Sequence, residues 1–345
     1  MSEPGTTPVV GAGDLAAFAA SAAWLADSRQ RVAAALRAGR LPHGLLLYGA
    51  PGVGQTPLAW WIAQLLFCRQ QALHPCGRCE ECVLFSAGTH PDFHAVGRED
   101  QSTVIRVEQV RELGTALTGK SFRGGHRVGI IDPVDSMNTN SYNAFLKTLE
   151  EPGERLTLIL VAQKTERIPA TIASRCQRIH VPRPRRDDAL SWLRTQVGEG
   201  IDWLAYLEDC GGAPFSAVEA ASAGEPLGAS MEAELFDPGA TPDPMSLAQA
   251  WSKDRPAARL QWLELRLSRE ICEQAALSDQ VNNNPQSLLK NRPARRNIRD
   301  TFGLLDEVRR ARQLEAGPAN PLLLWESLLV GFLSAARPAT RRDDR

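Results

Sequence analysis

A short apolar run that leads into a glycine-rich loop and then a helix is the feature that most constrains the fold of this chain. The stretch "GLLLYGAPGVGQTPLAWWIAQLLF" (44–67) has this order. It follows the phosphate-loop pattern G-x-x-x-x-G-K-[ST] at Gly49, Gly54 and Thr56, but Gln55 stands at the lysine position. Because strand, loop and helix are the context in which such a loop cradles phosphate, we expect an α/β domain with a nucleotide-type loop.

The residues after this loop alternate between strand and helix patterns. Apolar runs predict strands at 44–49, 127–132 and 156–162, and shorter ones in "PDFHAVG" and "CQRIHVPRP". Between them, "IRVEQVRELGTALTG", "NSYNAFLKTLEEP" and "PATIASR" predict helices, and residues 13–40 predict one or two more before the first strand. This alternation is typical of a parallel sheet covered by helices on both faces.

Strand patterns end near residue 183, and the rest of the chain predicts helices. Short helices are indicated by "RDDALSWLRTQV", "IDWLAYLEDC" and "PFSAVEAAS", whereas "GEPLGAS" and "FDPGATPDP" are typical of loops. Longer amphipathic helices are predicted at 245–276, 297–315 and 320–336. We therefore predict three domains: a phosphate-loop α/β domain at 1–182, a small helical lid at 183–228 and an all-α C-terminal domain at 229–345.

Four of the seven cysteines lie close together in "CRQQALHPCGRCEEC": Cys68, Cys76, Cys79 and Cys82. In a reducing compartment, such a cluster indicates a metal site rather than disulfides. Four thiolates close a tetrahedral Zn²⁺ site, so we predict a structural zinc module inserted at about 66–92. An iron–sulfur cluster is the alternative, because C-x2-C-x2-C also begins a ferredoxin motif, although the fourth cysteine here lies upstream. We expect each of the three scattered cysteines, Cys176, Cys210 and Cys272, to be a small buried residue.

The residues that ATP hydrolysis needs are incomplete. Thr56 could bind Mg²⁺, and Asp132 at a strand end could hold the same ion, but Gln55 replaces the lysine that neutralises the phosphates. Pro133 stands where many ATPases have the glutamate that orients water. A charge-assisted hydrogen bond contributes about 1.5–3 kcal/mol, so we expect doubtful ATP or ADP binding and no hydrolysis. The candidate nucleotide site comprises Gly49, Gly52, Gly54, Gln55, Thr56 and Asp132.

Charge and hydropathy restrict the function further. The formal net charge of −1 argues against a protein whose whole surface binds nucleic acid. The start "MSEPGTTPVV" lacks the basic and apolar regions of a secretory signal. The apolar stretch "NPLLLWESLLVGFLSAA" is short for a membrane span and contains Glu326. We therefore expect a soluble, cytoplasmic protein that does not bind a membrane.

Several blocks together resemble the bacterial clamp-loader subunits of the AAA+ class. They are "RLPHGLLLYGAPGVG", the four-cysteine insertion, "GTHPDF", "NAFLKTLEEPGE" and "IPATIASRCQR". The resemblance is concentrated in about residues 40–185. The tripeptide S-R-C at 174–176 is intact, whereas the lysine and glutamate positions hold Gln55 and Pro133. The gamma/tau ATPase subunit would carry K-T at positions 55–56 and D-E at positions 132–133. The resemblance therefore narrows to a loader subunit that does not hydrolyse ATP.

This resemblance implies a fixed place in a five-subunit ring with gamma/tau and delta subunits, which opens the β sliding clamp and places it on primed DNA. Arg175 would act as an arginine finger on ATP bound by the adjacent gamma/tau subunit. The four cysteines match the zinc ligands of the family, and the C-terminal helices would join the collar of the ring. Two departures favour an inert site: Ala162 occupies a position that is usually polar, although Gln163 follows, and "APFSAVEA" lacks the arginine that active relatives keep.

Two other functions fit parts of the sequence. An autonomous or gamma/tau-like ATPase would need Gln55 to support turnover, which a phosphate-release assay tests. A nucleic-acid-binding module would use the cysteine insertion, but that insertion carries two arginines and two adjacent glutamates and so has no basic surplus. The stretch "LLKNRPARRNIR" (288–299) is more basic, although such runs are usually solvated helix ends.

Overall fold

The computed structural model describes residues 12–70, 73–99, 102–236, 243–283, 298–315 and 320–336. Within these ranges the chain forms two compact units. The first comprises Met1–Leu207 and Gly212–Ala223, and the second comprises Glu208–Gly211 and Gly224–Arg345. None of the helices in the described ranges is long and apolar enough to cross a membrane.

A parallel sheet forms the centre of the first unit. Its strands are β1 (Gly44–Tyr48), β2 (Phe93–Val96), β3 (Arg127–Ile131), β4 (Leu156–Ala162) and β5 (Gln177–His180). They lie in the order β2-β3-β4-β1-β5, with every neighbouring pair parallel. Every residue of β3 and β4 is buried, as expected for parallel strands covered on both faces. The predicted α/β fold is confirmed, and each predicted strand is present.

Helices surround this sheet and continue to the end of the unit. They are α1 (Ala12–Ser21), α2 (Ala26–Arg37), α3 (Gln55–Phe67), α4 (Glu80–Ser86), α5 (Val107–Ala116), α6 (Thr139–Glu150), α7 (Ala170–Ala173), α8 (Arg186–Gln196), α9 (Trp203–Asp209) and α10 (Pro214–Ala223). Helix α3 is buried along almost its whole length, because its "LAWWIAQLLF" segment is apolar on all sides. Its position fixes both the glycine loop before it and the first cysteine after it.

The described part of the second unit contains only helices, as predicted. They are α11 (Gly228–Phe236), α12 (Pro244–Trp251), α13 (Pro256–Asn283), α14 (Ile298–Glu315) and α15 (Pro321–Ala336). Their core is centred on Trp251 and Trp325, whose rings meet edge to face with centroids 5.3 Å apart. The division of the chain into a lid at 183–228 and a collar at 229–345 stays a prediction.

Three details of the sequence-based expectation were wrong. The predicted helix 245–276 is broken into α12 and α13, because Arg255 has a left-handed φ of 46° and precedes Pro256, which disfavours helix at that position. The predicted loop "GEPLGAS" contains the start of α11, where the Asp209 carboxylate accepts the Gly228 N–H at 3.0 Å. Of the three scattered cysteines expected to be buried, Cys176 is buried, but Cys210 is only partly buried and Cys272 is exposed. Most of "FDPGATPDP" lies outside the described residues.

Candidate functional site

The loop after β1 has the backbone of a phosphate loop. Gly52 and Gly54 have φ values of 73° and 118°, in the left-handed region that glycine adopts without strain. A Cβ atom at Gly49 would lie 2.5 Å from the Val181 carbonyl oxygen, so a larger residue does not fit there. The structure thus brings the three predicted glycines into one turn that ends at the first residue of α3.

The lysine position of this loop holds a buried neutral side chain. Gln55 is 4% exposed, and its amide nitrogen donates a hydrogen bond to the Ala50 carbonyl oxygen at 2.8 Å. The side chain therefore folds back on the loop that precedes it. It satisfies a carbonyl of its own chain and brings no positive charge to the place where phosphates would lie.

Residues from two other segments of the first unit contact the loop directly. The Trp24 indole N–H donates to the Val53 carbonyl oxygen at 2.8 Å, and the Phe215 backbone N–H donates to the Gly52 carbonyl oxygen at 3.0 Å. A Cβ atom at Gly52 would lie 1.9 Å from Ser216 Oγ, so Ser216 packs directly against this glycine and no larger residue fits there. These contacts were not predicted from the sequence, since no local pattern pairs α10 with a loop far along the chain.

Asp132 and Thr56 meet beside the loop, as the sequence analysis required of a magnesium site. The Thr56 hydroxyl donates to Asp132 Oδ2 at 2.5 Å. Burial raises the pKa of Asp132 to about 6; the hydrogen bond from Thr56 opposes this, and the negative charge of Glu219 on α10 adds to it. Helix α10 thus presents a carboxylate to this site.

The four predicted metal ligands come together at the other end of α3. Cys68 directly follows this helix, Cys79 precedes α4, and Cys82 lies in the first turn of α4. Together with Cys76, their sulfur atoms all lie within 4.8 Å of one another. The Cys79 backbone N–H donates to Cys76 Sγ at 3.3 Å, and the N–H groups of Arg78 and Cys79 lower the pKa of Cys76 to about 6. These four thiols are close enough to bind one metal ion.

A buried carboxylate connects the cysteine module to the sheet. Glu81, next to Cys82, is 5% exposed and accepts hydrogen bonds from Arg69 at 2.7 Å and Arg123 at 3.0 Å. The Arg123 guanidinium lowers the pKa of Glu81 to about 2, against the effect of burial. Arg69 follows the first cysteine and Arg123 lies in the loop before β3, so one carboxylate holds three separate segments.

His90 completes this buried group. Its Nδ1 accepts the Asp92 backbone N–H at 3.2 Å, so its Nε2–H donates to Glu81 at 3.1 Å. Its ring stacks on Phe67, the last residue of α3, with centroids 3.7 Å apart. From the sequence, the glutamates beside the cysteines indicated only that the insertion has no basic surplus. The motif "GTHPDF", which contains His90, was the only signal that this segment belongs to the module.

Arg175 lies on the surface at the end of α7. Its side chain is 39% exposed, and its guanidinium pairs with Glu150 at 2.7 Å and donates to the Thr171 carbonyl oxygen at 2.9 Å. Both partners belong to this chain, and the Glu150 side chain is itself 46% exposed. The basic stretch at 288–299 lies outside the described residues except for its last two positions.

Comparisons with known proteins agree with the resemblance drawn from the sequence. The family model described as "DNA polymerase III, delta subunit" matches residues 26–185, just under half of the chain. The DNA polymerase III subunit delta′ of Yersinia pestis is 31% identical over 248 residues, which is 70% of this chain and 73% of that protein. This chain belongs to the delta′ family of DNA polymerase III subunits. The predicted resemblance, and its narrowing to a subunit other than gamma/tau, are confirmed.

Two further relatives define the extent of this similarity. The delta′ subunit of Pseudomonas aeruginosa strain PAO1 is 39% identical over 180 residues, covering 51% of this chain and 54% of that protein. The chain thus spans about half the length of that relative. The DNA polymerase III subunit tau of Escherichia coli strain K12 is 35% identical over 147 residues, covering 42% of this chain and 22% of the tau protein.

Proposed function

We propose that this chain is a delta′ subunit that acts without hydrolysing ATP in a clamp loader, as part of a DNA-directed DNA polymerase holoenzyme in the cytoplasm. Its partners are gamma/tau and delta subunits, with which it helps to load a β sliding clamp onto primed DNA during replication. The observation that carries this proposal is the buried Gln55 amide, which is neutral and hydrogen-bonded to Ala50 inside a loop already in contact with Ser216.

Electrostatics support an inert nucleotide site. A triphosphate carries several negative charges, and the loop offers backbone dipoles but no lysine. Asp132 and Glu219 interact unfavourably with each other at this site, and a phosphate would add a third negative group. Pro133 has no acid–base group with which to orient an attacking water. These features weaken nucleotide binding and remove hydrolysis for separate reasons.

We propose that Arg175 serves the active site of a neighbouring gamma/tau subunit. Among the described residues, the carboxylate partner of Arg175 is the exposed Glu150. Because exposed ion pairs contribute little to stability, Arg175 can exchange this partner for a phosphate group at low cost. A guanidinium has the planar geometry that binds phosphate oxygens in pairs. In the neighbouring site it would stabilise the charge that develops on the transferring phosphoryl group.

We propose that the cysteine module holds one structural Zn²⁺. The zinc–sulfur distance of about 2.3 Å places the sulfur atoms of a tetrahedral site about 3.8 Å apart, which is compatible with four sulfur atoms that lie within 4.8 Å of one another. An iron–sulfur cluster inserts several atoms between its cysteines and would need a wider spacing of the sulfur atoms. Four thiolates leave no open coordination position, so the ion would support folding rather than catalysis.

Reconstitution tests the role of the chain. Gamma/tau and delta subunits are assembled with and without this chain, and the ATPase activity stimulated by primed DNA and clamp is measured. We expect stimulated activity only in the complete assembly and no turnover by the isolated chain. Turnover by the isolated chain near the lower end of enzyme rates, about 1 s⁻¹, would instead favour an autonomous ATPase.

A further inference from the structure

The four cysteines of the metal module divide into a buried pair and a more exposed pair. Cys68 and Cys82 are buried, whereas Cys76 and Cys79 are only partly buried and lie between α3 and α4. The buried pair comes from the ends of two helices, because Cys68 directly follows α3 and Cys82 lies in the first turn of α4. The contacts made by the residues next to these two cysteines show what holds the two helix ends together.

Both chain neighbours of Cys68 are connected to Glu81, the residue that precedes the last ligand. On one side, Arg69 donates to Glu81 Oε1 through Nη2 at 2.7 Å and through Nε at 3.2 Å. On the other side, the Phe67 ring stacks on His90 with centroids 3.7 Å apart. His90 Nε2 in turn lies 3.1 Å from Glu81 Oε2. Glu81 therefore joins both flanks of the first ligand to the last ligand through contacts that involve no metal ion.

A third segment fixes the Glu81 carboxylate itself. Arg123 Nη2 donates to Glu81 Oε1 at 3.0 Å, and Arg123 Nε donates to Oε2 at 3.2 Å. The loop that carries this guanidinium is held by Asp92, whose carboxylate accepts the backbone N–H groups of Phe122 at 2.7 Å and Arg123 at 3.0 Å. Because both Glu81 oxygens accept hydrogen bonds and the side chain is buried, the carboxylate is fixed in one orientation.

We propose that Glu81 is a positioning residue for the metal site, which holds the buried ligands Cys68 and Cys82 in place before the ion binds. The inference rests on the Zn²⁺ assignment proposed above. Bringing separate ligands together costs conformational entropy, and contacts that have already ordered them leave more of the zinc–sulfur interaction to appear as affinity. Removal of outer groups that orient metal ligands typically weakens metal binding about 10–100-fold.

The adjacent Glu80 provides a comparison within the same module. It pairs with Arg69 at 3.0 Å and with Arg123 at 2.7 Å, but its side chain is 57% exposed. Water competes for the arginines of such an exposed pair, so the pair does little to fix the chain. Among the described residues, His90 has its carboxylate partner in Glu81 rather than Glu80. Glu80 is therefore the matched control for Glu81.

Competition between the zinc-loaded full chain and a chelator of known affinity measures the dissociation constant for Zn²⁺ at neutral pH. Glu81→Gln should weaken zinc binding by about tenfold or more, and Glu80→Gln should leave it unchanged. Arg69→Gln removes the same connection at its exposed end, so this variant should fold normally and also weaken zinc binding. Because Glu81 acts partly through Arg69, the double variant should lose less affinity than the two single losses multiplied together.

A general loss of stability is separated from a loss of positioning by Val110→Ala. Val110 is a buried residue of α5, and its core cluster contains no residue of the metal module. This variant should unfold at a lower temperature but keep the zinc dissociation constant of the parent. Parent zinc affinity in both Glu81→Gln and Arg69→Gln would overturn the proposal and leave the zinc assignment standing. A parent chain that binds no Zn²⁺ would overturn both.

Discussion

Helix α3 has a ligand cradle at each end, and the two differ in what they retain. At its amino end the glycine loop keeps the backbone of a phosphate site, but Gln55 is neutral and Gly52 lies against Ser216. At its carboxyl end Cys68 begins a set of four thiols within 4.8 Å of one another. The glycine loop keeps its backbone shape but lacks the positive charge of a lysine, whereas the cysteine module has all four sulfur atoms that a tetrahedral metal site needs.

The groups around the two cradles account for this difference. Beside the glycine loop, burial and the Glu219 carboxylate raise the cost of ionising Asp132. Beside the cysteines, the acidic Glu81 is matched by two arginines and a histidine. A backbone turn can persist because it packs well, whereas a ligand site also needs its neighbouring charges balanced. The side chains around a motif are therefore better evidence of binding than the motif itself.

Removal of one thiol should have the largest effect. Cys79→Ser should lose the metal and lower the free energy of unfolding by several kcal/mol, since metal binding is coupled to folding. Metal content by elemental analysis and thermal unfolding check this. Cys272→Ser, an exposed cysteine of the second unit, is the control and should change neither quantity. A variant that unfolds like the parent, or a parent that carries iron rather than zinc, would contradict the assignment.

The carboxylate that supports the module should be the next most important. Glu81→Gln should reduce the free energy of unfolding by about 3 kcal/mol, because it leaves buried donors without a charged acceptor. Glu80→Gln is the matched control: Glu80 pairs with the same arginines but is exposed, so little change is expected. Urea unfolding at neutral pH measures both. Equal effects of the two substitutions would show that burial of Glu81 is unimportant.

At the amino end of α3, ionisation of Asp132 should destabilise the folded chain. The pKa of Asp132 is about 6 in the folded chain, above its ordinary value of 3.8. The folded state therefore binds this proton more tightly, and the resulting stability is present below about pH 4 and lost as the pH rises through 6. Asp132→Asn keeps an acceptor for Thr56 and cannot ionise.

We therefore expect Asp132→Asn to be more stable than the parent by about 2 kcal/mol at pH 8 and equally stable at pH 4. Urea unfolding at the two pH values checks this, with the exposed Asp187→Asn as control. A variant that is less stable than the parent at pH 8 would mean that the Asp132 carboxylate is favourably bound in its ionised form.

Restoring the missing cation should have the smallest effect. Gln55→Lys should strengthen ATP binding by about tenfold, because one charge-assisted hydrogen bond is gained while Phe215 and Ser216 still contact the loop. Hydrolysis should remain absent, since Pro133 is unchanged. Nucleotide binding and phosphate release are measured, with the exposed Gln177→Lys as a control for added charge. Full turnover from Gln55→Lys alone would show that Pro133 does not limit the reaction.

The sequence predicted features that depend on local patterns. The strands, the glycine loop and the four cysteines were all found where apolar runs and spacing indicated them. The break before Pro256 was missed although the polar run "SKDR" (252–255) interrupts the apolar spacing there and Pro256 disfavours helix at Arg255. The burial of Glu81 and the contact of Ser216 with Gly52 depend on segments that are distant in sequence, and no period or motif encodes such pairs.

We propose above all that this chain contributes a guanidinium to a neighbouring active site while its own nucleotide site is inert. The most direct test is the stimulated ATPase activity of a reconstituted loader that carries Arg175→Ala, with Arg178→Ala as the control. We predict that the Arg175→Ala assembly forms normally but loses much of its ATPase and clamp-loading activity, that Arg175→Lys restores little, and that the control is unaffected. An Arg175→Ala loader that works at the parent rate would contradict the claim.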